Sequence, residues 1–243
     1  VLTVPDLAAS AEPPRVELEI TGIQDPLRST IRNALSIVRE KGHPLLSRYR
    51  IRALHQRTPE EIRNTLEPFG YYQAEVDASL EQRDDTWHAS YRVTIGPPVT
   101  VRSLDLEILG PGGATEVFRQ WRQTFPLQSG DRLRHRDYER AKDELLGIAR
   151  RNGYLEAELT ENRVLVELAE NRADIRLHMT TGPRYRFGKI RFSDTPLRQS
   201  FLERFPRFKT GDPYDSGRLV ELQRALSDSD YFDRVDVIPF IEE

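Results

Sequence analysis

The sequence has no cysteine, one methionine and two tryptophans in 243 residues. Without cysteine there is no disulfide framework, no thiolate metal site and no cysteine nucleophile. The five histidines, His43, His55, His88, His135 and His178, are scattered, with no pair at helical ligand spacing and no HExxH, so no metal is expected. No run of 18 apolar residues is present to cross a bilayer as a helix. No charged-then-apolar signal peptide opens the chain, and the Ala- and Pro-rich residues 1–14 read as a poorly ordered tail. There is no excess of positive charge either. With 36 basic against 39 acidic residues the net charge is −3, which argues against nucleic acid as a partner. Hydrophobic residues make up only 37%, a level that suits several small domains with thin cores.

Catalytic signatures are missing as well. Gly110-Pro111-Gly112-Gly113 lacks the Lys-Ser/Thr of a phosphate loop and follows a predicted strand, so it reads as a turn. There is no GxSxG elbow. The paired carboxylates Glu60-Glu61 follow Thr58-Pro59, where a capping box and the helix dipole explain them. The chain therefore reads as a non-enzyme with no catalytic residue and no cofactor.

What is present is repetition. Gly70-Tyr71-Tyr72 returns as Gly153-Tyr154-Leu155 and more weakly as Asp230-Tyr231-Phe232. Gly96-Pro97 returns as Gly182-Pro183, and Gly130-Asp131 as Gly211-Asp212. Each return lies roughly eighty residues on, a spacing that marks one supersecondary unit per repeat.

The first unit opens with Val16, Leu18 and Ile20 alternating against charged residues, a half-buried strand ended by Gly22. Asp25-Pro26 starts a helix carrying Leu27, Ile31, Ala34, Leu35 and Val38 at helical spacing. Thr58-Pro59-Glu60-Glu61 predicts the start of a second helix, through Ile62, Leu66 and Phe69, that Gly70 ends in the left-handed conformation. Two alternating runs follow, Ala74 to Leu80 and Trp87 to Ile95, joined by the polar turn Arg83-Asp84-Asp85-Thr86. The second unit repeats the order. Leu104, Leu106 and Ile108 form a strand, Val117, Trp121 and Phe125 one helix face, and Tyr138, Ala141, Leu145 and Ile148 another. Its hairpin runs from Leu159 to Met179 and turns near Glu170-Asn171. In the third, Tyr185, Phe187, Ile190 and Phe192 suggest a strand with a bulge at Gly188-Lys189. Leu197, Phe201 and Phe205 mark a helix, Leu219, Leu222 and Leu226 the next, and Val235 and Val237 begin a strand. The final strand of this unit is expected to be missing before Glu243.

A tandem βααββ unit with a Gly-Tyr helix end before each hairpin resembles the POTRA (polypeptide-transport-associated) domain of Omp85-family proteins. Gly182-Pro183-Arg184-Tyr185-Arg186-Phe187-Gly188, Phe208-Lys209-Thr210-Gly211-Asp212-Pro213-Tyr214 and Leu219 to Leu226 carry the resemblance in the third unit, and Phe69-Gly70-Tyr71-Tyr72 in the first. Within that family, three repeats resemble the translocation-and-assembly-module branch. The expected fold is therefore α+β, an array of three small domains, each a three-stranded mixed sheet with two helices on one face. The expected boundaries are a tail at 1–14 and domains at 15–97, 98–183 and 184–243.

The resemblance implies a periplasmic arm at the outer membrane, ahead of a C-terminal β-barrel. It implies a TamB-like inner-membrane-anchored partner and outer-membrane proteins or autotransporters as clients. A different class stays open: a barrel-less periplasmic adaptor that binds cell-wall glycan or a division or secretion complex.

Three-stranded sheets keep two edges, and a free edge is a template for another strand. The strand Ala74, Glu75, Val76, Asp77, Ala78, Ser79, Leu80 is the leading candidate, with Glu75, Asp77 and Ser79 as its polar outward residues. An idle edge guarded by those charges is the other reading, and the Val16–Ile20 strand is the next candidate. The recurring Tyr71, Tyr72, Tyr154, Tyr231 and Phe232 read either as aromatic plugs where helix meets sheet or as a ligand platform.

Overall fold

The computed structural model describes residues 14–193 and 195–240, so the expected N-terminal tail lies outside the described residues except for Pro14. The chain divides into two compact units. One runs to Arg102 and includes Ser129–Arg136 and Val166–Ala173; the other holds Ser103–Gln128, Asp137–Leu165 and the chain from Asp174 onward. The fold is α+β with two three-stranded sheets, both mixed.

In the first unit, β1 (Arg15–Thr21), α1 (Leu27–Ala34), α2 (Ser36–Glu40), α3 (Arg48–Leu66), β2 (Glu75–Arg83) and β3 (Thr86–Thr94) follow in order. The sheet order is β1-β3-β2, so the last strand is central. β3 runs parallel to β1, pairing Leu18 with Ala89, and antiparallel to β2, pairing Ala78 with Tyr91. Alternation puts Trp87, Ala89, Tyr91 and Val93 on the helix side, each at 5% exposure or less. Against them pack Ile31, Leu35, Ile51, Leu54, Ile62 and Leu66. Gly22 ends β1 at φ 86, and a Cβ there would lie 2.2 Å from the Val93 carbonyl oxygen, so only glycine fits. The buried Tyr91 hydroxyl meets His55 Nδ1 at 2.8 Å. Burial pushes that phenol up to about 12 and holds the His55 imidazole below its ordinary value.

Two helix boundaries differ from the sequence expectation. The first helix breaks at Leu35, whose backbone is extended, into α1 and α2. The second begins ten residues before Thr58, at Arg48, capped by Ser47, whose hydroxyl accepts the Arg50 N–H at 3.3 Å. Thr58 and Pro59 thus lie inside α3. An apolar stripe of Ile51, Leu54, Ile62 and Leu66, fully buried or nearly so, outweighs the proline's lost hydrogen bond. The buried Thr58 hydroxyl donates back to the Leu54 carbonyl. Glu61, expected to cap its own helix, instead accepts the Ser36 N–H at 2.8 Å and so satisfies an orphan donor at the start of α2.

The second sheet is built from β4 (Thr100–Leu109), β5 (Glu158–Glu167) and β6 (Arg172–Thr180) in the order β4-β6-β5, again with the last strand central. α4 (Glu116–Gln123) and α5 (His135–Arg151) supply Phe118, Trp121, Tyr138, Ala141, Leu145 and Ile148. The sheet supplies Ala173, Ile175, Leu177 and Met179, all at 0% exposure. Both hairpins turn through a positive-φ polar residue, Asp84 (φ 51) and Asn171 (φ 52).

The third sequence unit folds around α6 (Gln199–Leu202) and α7 (Ser216–Ser227). Phe187, stacked on Phe208 at 3.8 Å, packs with Leu222 and Leu226. Here the strands expected through Tyr185–Phe192 and from Val235 do not form among the described residues. Residues 187–193 and 232–240 form no strand, and the bulge expected at Gly188-Lys189 lies in unpaired chain. A cavity of about 890 Å³ separates these segments, lined by Ile190, Leu222, Val235 and Val237 among others. Their equivalents in the other repeats are outer strands, each bonded to the central strand and not to each other. Among the described residues no strand lies between these two segments. No described helix is long and apolar enough to cross a membrane.

Candidate functional site: a free sheet edge and the repeat joints

β2 is an edge strand, with β3 on one side and no described strand on the other. Ala74 stands just before it and is buried; Val76 and Leu80 are half-buried and pack on the core. Glu75, Asp77 and Ser79 point outward and are exposed, and so is Ala78, which lies on the helix side of the register but at the thin margin of the core. The edge therefore offers a row of backbone donors and acceptors on a strand anchored through alternate side chains. β1, the other edge of this sheet, has Ile20 buried and Val16 and Leu18 half-buried. Among the described residues no three His, Cys, Asp or Glu side chains converge as a metal group.

The recurring glycine and aromatic motif lies at joints between successive repeats. Gly70 has φ 88, and its carbonyl accepts the Val99 N–H at 2.8 Å. From there a short ladder forms: Leu133 N–H to Val99 O, Val101 N–H to Asp131 O, and Gly130 N–H to Val101 O. The next repeat builds the same ladder. Gly153, also at φ 88, accepts Tyr185 N–H, and Tyr214, Phe187, Asp212 and Gly211 take the remaining places. A Cβ on Gly70 would stand 2.5 Å from the Leu133 carbonyl oxygen, and one on Gly153 would stand 3.0 Å from that of Tyr214. Both glycines are thus fixed twice, by a left-handed backbone and by a carbonyl pressed against them.

The aromatics beside them differ. Tyr71 is 9% exposed; Arg132 donates to its hydroxyl at 2.7 Å and lies over its ring. Tyr72 is half-buried, its hydroxyl 2.5 Å from His135 Nε2, and burial pushes its phenol up to about 12. Tyr154 is 3% exposed under the Arg184 guanidinium. Tyr231 is 60% exposed, with its ring edge-on to Phe201, and so is not a buried plug, while Phe232 packs on the third core. The helix-end position before it is Asp230, at φ 59.

Gly130-Asp131 and Gly211-Asp212 are repeat marks with a structural task. Their task is to supply the second half of each joint. The signal was there, because each pair recurs at a fixed distance before a helix start.

Comparison with known proteins gives two family matches. Residues 17–95 match the model "POTRA domain TamA domain 1", and residues 185–242 match "POTRA", described as surface antigen variable number repeat. Among solved structures, BamA POTRA3-5 of Haemophilus influenzae is 19% identical, with 92% of this chain and 88% of that chain covered and a TM-score of 0.48. POTRA1-3 of the periplasmic domain of Omp85 from Anabaena is 15% identical over 93% and 87%, at 0.34. The N-terminal domain of Omp85 from Thermosynechococcus elongatus is 16% identical over 94% and 89%, at 0.35. None reaches a TM-score of 0.5, so the domain assignment rests on the family matches.

Proposed function

From a chain that carries POTRA domains at residues 17–95 and 185–242, we propose a non-catalytic periplasmic scaffold of an Omp85-family machine that assembles or translocates outer-membrane proteins. The match of the first domain to the TamA model supports the TamA branch, with three POTRA domains at 15–97, 98–183 and 184–243. In that reading the arm precedes a C-terminal β-barrel. It meets a TamB-like inner-membrane-anchored protein and handles outer-membrane or autotransporter clients.

The observation that carries the mechanism is the unpaired edge of β2. An incoming strand completes its backbone hydrogen bonds there, and because main-chain pairing tolerates many sequences, one edge serves varied clients. The test uses two proline variants. Along an edge strand, successive N–H groups point alternately toward and away from the neighbour. Of Asp77→Pro and Ala78→Pro, one removes a ladder bond to β3 and loosens the fold, and the other removes an outward donor and leaves circular dichroism unchanged. The folded variant is expected to bind a TamB-derived strand about five- to tenfold more weakly, from roughly 1 kcal/mol per lost hydrogen bond. Unchanged binding by that folded variant removes β2 as the site and turns attention to β1.

A further inference from the structure

The helical layer of the first repeat is unlike its counterparts in charge. From Leu27 to Leu66 the sequence holds nine Arg or Lys residues against three carboxylates, Glu40, Glu60 and Glu61, in a chain whose net charge is −3. The corresponding stretch of the second repeat, residues 116–151, has nine basic against six acidic residues, and that of the third, 197–227, six against four. The eight cations of the first layer from Leu27 to Arg57 are all exposed. Arg28 pairs with Asp25 and Arg50 with Glu40, but Arg32, Lys41, Arg48 and Arg57 have no ion pair among the described residues.

Within this layer the loop from α2 to α3 and the first turn of α3 carry two large apolar side chains into solvent, Leu45 at 83% exposure and Tyr49 at 77%. Buried Leu46 anchors the loop between them, and Ser47 caps the helix that presents Tyr49. Lys41 and Arg48 stand beside the pair in sequence, and Arg52 lies one helical turn beyond Tyr49. Leu45 and Tyr49 make no part of the core and are not needed for the β2 edge.

We infer that this loop and helix face form a docking surface for an anionic phospholipid headgroup layer. A protein groove would take apolar side chains into matching concavities; these two project singly, with exposed Arg48 next to Tyr49 and exposed Lys41 four residues before Leu45. That arrangement fits a bilayer surface, where Leu and Tyr enter the boundary between headgroup and acyl chain while flanking Lys and Arg meet phosphates. The inference is independent of strand capture, since it uses the opposite layer of the repeat and no backbone edge.

The experiment is vesicle flotation of the 243-residue chain with phosphatidylglycerol-containing vesicles and with pure phosphatidylcholine vesicles. The chain is expected to float with the anionic vesicles, to stay behind with the neutral ones, and to release as salt shortens the Debye length. Lys41→Glu with Arg48→Glu should weaken binding by roughly tenfold or more. Leu45→Ser with Tyr49→Ser should also weaken it several-fold, and both pairs are exposed enough to leave the fold intact by circular dichroism. No flotation with anionic vesicles, or equal flotation with neutral ones, overturns the inference. It is also overturned if the serine pair binds like the parent while polyglutamate competes fully, because the surface then recognises polyanions, such as an acidic polypeptide, and not a bilayer.

Discussion

The first and third repeats have the same order of sequence signals, yet among the described residues the first has a full three-stranded sheet and the third has none. In the first, β3 lies between two strands and buries Trp87, Ala89, Tyr91 and Val93 against the helices. In the third, helices and aromatic cluster form around Phe187, Phe208, Leu222 and Leu226, but residues 187–193 and 232–240 form no strand and line a cavity. The difference teaches where the stability of this fold resides. Helices and local apolar contacts form from nearby chain. In the first repeat one central strand supplies both ladders and much of the core face.

That comparison has consequences that can be measured. The largest expected effect is at the centre of the completed sheet. Tyr91→Ala leaves a fully buried void and strips His55 of its partner, so chemical denaturation should show a loss of about 3–5 kcal/mol in the first repeat. Leu222→Ala, in the third repeat, should cost less than the ~2–5 kcal/mol typical of a closed core, because its side chain already borders a cavity. Equal losses at the two sites would break the contrast.

The joints sharpen it next. Gly70→Ala and Gly153→Ala each place a Cβ at φ 88, for a cost of about 1 kcal/mol from the backbone alone. The carbonyl of Leu133 at 2.5 Å makes the first the worse of the two, since at the second the nearest atom is 3.0 Å away. Differential scanning calorimetry of the two variants should rank them in that order.

The smallest effect is a pH dependence. Burial holds the folded His55 pKa below its unfolded value, so above the unfolded value the imidazole is neutral in both states and adds no penalty. As pH falls through 6.5 toward the folded value, the unfolded chain takes up the proton first and the first repeat loses stability. His55→Gln should flatten the denaturation midpoint against pH in that window.

Much of this architecture was legible in the sequence. Period-two runs located β1 to β6, and the left-handed glycines marked helix ends because few other residues take that backbone. The start of α3 was not legible from Thr58-Pro59, since a strong local signal lost to the burial of Ile51 and Leu54, a tertiary effect. The bond from Ser36 to Glu61 joins residues 25 apart and leaves no local trace. At the candidate edge, the outward polarity of Glu75, Asp77 and Ser79 could be read from alternation, whereas the exposure of Ala78 depends on how far the helices reach across the sheet.

The most direct test of strand capture is hydrogen exchange across β2, residue by residue, with and without a TamB-derived strand. The alternate amides of Glu75–Arg83 that face away from β3 should exchange fast in the free chain and become protected on binding, while those bonded to β3 stay protected throughout. Binding that leaves the outward amides of β2 exchanging as before would contradict the account.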